Sequence, residues 1–303
     1  MRAFLTRTSA FLAAITVTGC APVPSAPTAQ KGVLRLATWN LEHLAETNGV
    51  GCRPRQDADY AELRRHADAL NADVIALQEV ESKAAAERVF DPARYDVVMS
   101  GRPPSGRGGG CYGPPGQLIR HQAVGFAIRK GIRWVRNPDA TDLALGNPDL
   151  RWGVDITVAG PNPLRLLAVH LKSGCNTGRS ATDPDCPVLF AQLPVLERWI
   201  DSRAQASEPY AVLGDWNRRL AARDDQFFGA LDREQQPGAD LELADKGRGA
   251  TCKARYREFI DHIVAGPKVA ARIVPGSFAE YVYGVPEADH PSDHCPVSVL
   301  IKL

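Results

Sequence analysis

Six short segments of this chain run from apolar residues into acid, amide or imidazole side chains. They are Leu36-Ala37-Thr38-Trp39-Asn40, Val74-Ile75-Ala76-Leu77-Gln78-Glu79, Leu167-Ala168-Val169-His170, Val212-Leu213-Gly214-Asp215-Trp216-Asn217, Phe259-Ile260-Asp261-His262 and His290-Pro291-Ser292-Asp293-His294. Carboxylates and amide oxygens bind hard cations, and carboxylates and imidazoles orient water and move protons near neutral pH. Apart in the sequence they do nothing. Gathered at one place, they form a hydrolytic centre.

The elements that would gather them are legible as apolar runs. Val33 to Trp39 and Val74 to Leu77 read as strands, and Tyr95 to Met99, Ala123 to Ile128, Gly153 to Val158, Arg165 to His170, Tyr210 to Leu213, Phe259 to Val264 and Pro296 to Ile301 follow. Ala58 to Leu70 carries Tyr60, Leu63, Ala67 and Leu70 at helical spacing. Leu189 to Ile200 does the same with Leu189, Leu193, Leu196 and Ile200. Strands alternating with helices, with no internal repeat, indicate a mixed α and β fold. Buried sheets bring distant strand ends together, and strand ends are where a rigid scaffold presents reactive groups.

Taken together, Trp39-Asn40-Leu41-Glu42, Gln78-Glu79, His170-Leu171-Lys172-Ser173, Gly214-Asp215-Trp216-Asn217, Ile260-Asp261-His262 and Ser292-Asp293-His294 resemble the motifs of the endonuclease/exonuclease/phosphatase superfamily, in that family's order. The resemblance covers Val33 to Leu303. It implies an α+β, DNase I-like four-layer sandwich: two mixed β-sheets flanked by helices, with the site at one edge. It also implies hydrolysis of phosphoesters with Mg2+, or Mn2+ as the alternative, since such chemistry needs charge stabilisation on the phosphoryl oxygens, an oriented water and protonation of the departing oxygen.

Residue by residue, the resemblance makes Glu79 the first metal ligand and Asn40 a donor through its amide oxygen, with Glu42 and Asp293 as further members of the shell. It pairs Asp261 with His294, gives Asp215 the nucleophilic water and Asn217 a nonbridging phosphate oxygen, and sets His170 near the phosphate. Which histidine is acid and which base the sequence does not decide. Trp216 stands where phenylalanine is common, a change of packing rather than chemistry. His43, His262 and His290 receive structural readings, because strand alternation turns His262 away from Asp261. Pro291 and Ser292 discourage the helix that a His290-His294 zinc pair would need.

Charge and cysteines bound the setting. Of 303 residues 44% are apolar and 23% charged, which excludes a disordered chain. Lysine plus arginine number 36 against 35 acids, so no global basic excess points to nucleic acid. Residues 1–19 read as a signal peptide, with Arg2 and Arg7 before an apolar stretch too short to span a bilayer. Val17-Thr18-Gly19-Cys20 resembles a bacterial lipobox, which makes Cys20 the acylated residue and residues 20–32 a Pro/Ala-rich tether. Residues 33–303 are then the catalytic domain, expected to be a monomer in the cell envelope, facing periplasm or outside. Six further cysteines suggest up to three disulfides, with Cys175–Cys186 the preferred local pair.

Between Val97 and Pro138 stand seven basic residues and no acid, among them Arg102, Arg107 and Arg120. They are expected to follow a phosphate backbone, with a solvated arginine hairpin as the equal alternative. The leading expectation is a phosphodiesterase acting on DNA or RNA. A sphingomyelinase-like lipid phosphodiesterase or a small-molecule phosphatase is the close alternative, and a noncatalytic cell-envelope binding module the alternative from another class.

Overall fold

Alternation along the strands decides the layering. In a computed structural model the chain is described over residues 32–105, 109–175, 182–232 and 240–303. The signal peptide, Cys20, most of the tether and Arg107 lie outside the described residues. The strands run in chain order as β1 (Val33–Leu44), β2 (Val74–Val80), β3 (Tyr95–Met99), β4 (Ala123–Arg129), β5 (Trp134–Arg136), β6 (Val154–Val158), β7 (Leu164–His170), β8 (Tyr210–Asp215), β9 (Glu242–Leu243), β10 (Asp261–Ala265), β11 (Ala279–Glu280) and β12 (Val297–Lys302). They form two six-stranded sheets, ordered β11-β12-β1-β2-β4-β3 and β5-β6-β7-β8-β10-β9.

Leu34 and Leu36 of β1, Val74 and Ala76 of β2 and Phe126 of β4 share one core with Ile156, Leu166, Ala168, Leu213 and Ile263 of the other sheet. The residues between them face outward. Trp39, Ile75 and Leu77 pack with Tyr60, Leu63 and Leu70 of helix α1 (Asp57–Leu70) and with α2 (Lys83–Glu87). Leu167, Val169 and Val212 pack with Leu189, Leu196 and Ile200 of α3 (Cys186–Gln205) and with α4 (Gln226–Leu231). A period of two on strands buried on both faces therefore gives four layers, helix, sheet, sheet and helix. The expected sandwich is what the chain forms. The short α5 (Pro267–Ala270) packs beside β8 and β10.

Three disulfides close loops around one end of this sandwich: Cys52–Cys111, Cys175–Cys186 and Cys252–Cys295. The expected local pair is present. Cys111 ties its own loop to the loop before α1, where Gln117 also bonds the backbone of Gly49 and Gly51. No helix among the described residues is long and apolar enough to cross a membrane.

Candidate active site

Register puts the reactive residues side by side. β1 and β2 are parallel, with Asn40 opposite Gln78, so both deliver their polar ends in one direction. In the second sheet β7 and β8 are parallel with His170 opposite Asp215, and antiparallel β10 places Asp261 opposite Asp215. His294 lies just before β12, which runs antiparallel to β1 and so starts at the same end. Gly214 permits this approach: a Cβ there would lie 2.0 Å from the Val169 carbonyl oxygen.

Asp215 is the hub. Its Oδ2 accepts from Asn40 Nδ2 at 3.0 Å and lies 3.5 Å from His170 Nε2 and 3.9 Å from His294 Nε2. Its Oδ1 accepts from the Asn217 backbone N–H at 2.8 Å. His294 Nδ1 is 2.6 Å from Asp261 Oδ2, the shortest contact of the group, and His170 Nε2 is 3.8 Å from Glu79 Oε1. Asn40, Glu79, His170, Asp215, Asn217, Asp261 and His294 thus form one connected set. Backbone strain concentrates here as well: Glu42, His43, Glu79 and Asn217 all have φ between 44° and 60°, in the left-handed region that such side chains seldom adopt.

The electrostatics divide the set. Burial, with Asp261 nearby, pushes the Asp215 carboxyl up to about 7 despite the opposing effect of His294. Burial also disfavours a charged His294, but Asp261, Asp215 and Asp293 outweigh it and hold the imidazole's pKa well above its ordinary value. His170 goes the other way: burial, then Arg151 and His294, push it well below. One histidine is kept as a cation and the other neutral.

The ligand expectations divide too. Glu79 Oε2 accepts from the His43 backbone at 3.0 Å, while Oε1 has His170 only beyond hydrogen-bond range. Asn40 Oδ1 accepts from the Glu42 backbone at 2.9 Å and keeps a second lone pair. Glu42 turns to Asp293, accepting its backbone N–H at 2.9 Å and facing Arg53 at 3.6 Å; burial and Asp293 raise its pKa. Asp293 has a half-exposed side chain, 3.8 Å from His294 Nε2. Among the described residues, two other clusters have metal-like spacing. In Cys252, His290 and Cys295 the cysteines are spent in a disulfide. In Asp215, Asp261 and His294 the histidine is committed to Asp261, so the trio suits proton transfer better than ligation.

The arginine expectation needs correction. Arg102 is 6% exposed, and its guanidinium donates to the carbonyls of Pro148 and Gln122 and contacts His121 Nδ1. Its hydrogen bonds are spent on supporting a loop. Arg120 donates to Glu81 at 2.7 Å, and Arg129, Lys130 and Arg136 pair with Asp73, Asp96 and Asp139. Acids outside the window thus pair with four of its seven basic residues.

Three residues escaped the sequence reading. His43, read as structural, sits 3.6 Å from Glu79 and is held through Nδ1 by Gln122. Gln192, buried on α3, accepts from Lys172 N and donates to Leu143 O, fixing the segment after His170. Tyr283 donates to the His294 carbonyl and accepts from Trp39 Nε1 at 2.9 Å, joining β1 to the His294 segment. Only His43, beside a motif, carried a sequence signal. His262 is structural as read, buried against Asp245 and the Arg218 carbonyl.

The sequence model of the Endonuclease/Exonuclease/phosphatase family matches residues 37–294. The chain belongs to this family. Membership places it among phosphoester hydrolases, which generally use divalent metal ions. No curated protein matches it in sequence. Among solved structures it is similar to a humanized D. rerio TDP2, at 16% identity and a TM-score of 0.60, covering 90% of this chain and 100% of that one. The 3' phosphatase NExo from Neisseria bound to product DNA hairpin aligns at 16% identity and 0.57, over 89% and 100%. The human Nocturnin catalytic domain with bound sulfate aligns at 15% and 0.60, over 90% and 94%. At these identities the likeness is one of fold. The oxygen donors Glu79 Oε1 and Asn40 Oδ1, beside the buried Asp215 carboxyl, fit a hard divalent cation.

Proposed function

We infer that this family member is a divalent-metal-dependent phosphodiesterase of nucleic acid strands, held in the cell envelope by a lipid on Cys20. The observation that carries the hydrolytic reading is the divided pair of histidines around Asp215: a cationic His294 locked by Asp261, and a neutral His170. Glu79 and Asn40 would hold Mg2+ or Mn2+, which when bound offsets charge on the scissile phosphate.

The chain's own groups supply the rest. Asp215, its pKa pushed up to about 7, takes the proton of the attacking water. Asn40 and the Asn217 backbone orient its two oxygens, so the lone pair that receives the proton is fixed. His294 presents its Nε2–H to the phosphoryl oxygens as a preformed cation, a role Asp261 secures by accepting from Nδ1, and gives that proton to the departing oxygen as the P–O ester bond breaks. Neutral His170 fills the space between Asp215 and Glu79 without adding charge. Asn217 Nδ2, which donates to the Leu171 carbonyl at 3.2 Å, would turn to donate to a nonbridging oxygen.

The test is turnover of plasmid DNA, RNA, sphingomyelin and a bis-aryl phosphodiester by the purified protein with Mg2+ and with EDTA. Metal-dependent cleavage of the nucleic acids is expected. Cleavage of sphingomyelin alone would redirect the substrate, and turnover of none would favour a binding module. Labelling with a clickable fatty acid, present in wild type and absent in Cys20→Ala, tests the anchor.

A further inference from the structure

Two sulfurs and one imidazole nitrogen meet where the Cys252–Cys295 disulfide joins its two loops. The ligand atoms of Cys252, Cys295 and His290 lie within 4.8 Å of one another. His290 Nε2 is 3.2 Å from the Val285 carbonyl oxygen, and a carbonyl only accepts, so in the neutral ring Nε2 carries the hydrogen. The lone pair is then on Nδ1, which faces Cys252 Sγ at 3.9 Å. A hydrogen bond at one ring nitrogen decides which nitrogen is free to bind a metal, and here it frees the one beside the sulfur.

Each of the three residues is also held by contacts other than the S–S bond. Cys252 N donates to Glu280 Oε1 at 3.1 Å, and Thr251 N and Oγ1 donate to Glu280 Oε2. His290 is buried; its own carbonyl accepts from Arg53 at 2.7 Å, and its ring packs edge-on against Tyr283 with centroids 5.1 Å apart. On either side of Cys295, the His294 carbonyl accepts from the Tyr283 hydroxyl and the Pro296 carbonyl from Tyr281 N. Breaking the cross-link thus leaves two thiols opposite an oriented imidazole. Cys252 is half-buried at the surface and Cys295 is 5% exposed, so a reductant meets Cys252 first.

We propose that the reduced protein binds one Zn2+ through Cys252, Cys295 and Nδ1 of His290, with water in the fourth position. The switch is thiol–disulfide exchange with a dithiol. One thiolate of the dithiol attacks Cys252 Sγ, the S–S bond breaks, and its electron pair leaves on Cys295 Sγ, which takes a proton. The second thiol then displaces Cys252, so the reductant ends as a disulfide and the protein as two thiols. Zn2+ binds the thiolates as their protons pass to solvent. Two thiolates and an imidazole suit zinc, whereas the oxygen donors of Glu79 and Asn40 suit a harder ion, so the two sites differ in the metal they take. A disulfide offers no thiolate, and the oxidised protein lacks the site.

The experiment uses the full protein, reduced with a dithiol, freed of it under nitrogen and alkylated with iodoacetamide in the presence and absence of Zn2+, each cysteine being followed by peptide mass spectrometry. With Zn2+ at about 10 times its Kd, alkylation of Cys252 and Cys295 should slow about 10-fold, the inverse of the free fraction. Cys52, Cys111, Cys175 and Cys186 should react at unchanged rates. Slowing at Cys252 and Cys295 no greater than at those four overturns the proposal, and this result needs no variant. His290→Ala should weaken Zn2+ binding by at least about 10-fold, since loss of even an outer partner of a metal ligand costs that much. An affinity unchanged in this variant overturns His290 as the third ligand.

Discussion

Replacing Asp261 by asparagine removes one charge from the dyad and almost no volume. In the native protein His294 Nδ1 and Asp261 Oδ2 are 2.6 Å apart, and both side chains are largely shielded from solvent. Charges centred about 4 Å apart in an effective dielectric of about 20 attract by about 4 kcal/mol, or about 3 pK units. Asp215 and Asp293 still face Nε2 at 3.9 and 3.8 Å, so part of the elevation survives. Asp261→Asn should therefore lower the His294 pKa by about 2 to 3 units. A raised imidazole pKa stabilises the fold fully below about 6.5, its unfolded value, and the benefit fades as pH rises through the folded value, so the substitution also removes this alkaline loss. The assay is an NMR titration of 13C-labelled histidine in metal-free protein, with phosphodiester turnover measured beside it. Turnover should fall by about 100- to 10,000-fold, because the amide can offer Nδ1 a donor and select the wrong tautomer. A folded variant whose His294 midpoint moves by less than about 0.5 unit would falsify the account of Asp261 as the source of that proton affinity.

Three further outcomes follow from other contacts. Gly214→Ala forces its Cβ onto the Val169 carbonyl and should cost more than about 3 kcal/mol in urea unfolding, as strained overpacking does; a loss under about 1 kcal/mol would mean that β7 and β8 can separate freely. Asp225→Ala leaves the buried Arg218 guanidinium without its carboxylate at 2.6 Å and removes the cap on Phe228 N, so a loss of about 3 to 5 kcal/mol is expected by the same method, and a change near zero refutes the pairing argument. Asp215 has a raised folded pKa, so in metal-free protein its contribution to stability declines between about pH 4 and about pH 7; Asp215→Asn should lack this slope in Tm against pH and lose at least about 100-fold in turnover, and an unchanged slope contradicts the burial argument.

What the sequence disclosed and what it hid have one physical origin. A strand end is a local feature: apolar alternation marks the strand and the first polar residues mark its end, so Asn40, Glu79, His170, Asp215 and Asp261 could be found without knowing their neighbours. Boundaries shifted where the tertiary structure carried a strand past the apolar run, as β1 does to Leu44, or started it late, as β10 does at Asp261 after Phe259 turns into the core. The basic window misled for the opposite reason. A window records only the charges within it, whereas Arg129 and Arg120 pair with Asp73 and Glu81, which stand at the two ends of β2, and Arg136 pairs with Asp139 just past the window's edge. The same limit hid Gln192 and Tyr283, whose work is to hold one strand end against another. A residue that acts by its own chemistry at a strand end can be read from local pattern, while one that acts by bridging elements can be read only from contact. The substitution that separates the two kinds here is Tyr283→Phe, which leaves every motif residue in place and removes only the hydroxyl between Trp39 and the His294 carbonyl. If position rather than composition makes the site, this variant should lose turnover by more than its Tm change explains. Full activity would show that the His294 segment is held well enough by Ser292, whose hydroxyl bonds the Asn40 carbonyl at 2.7 Å.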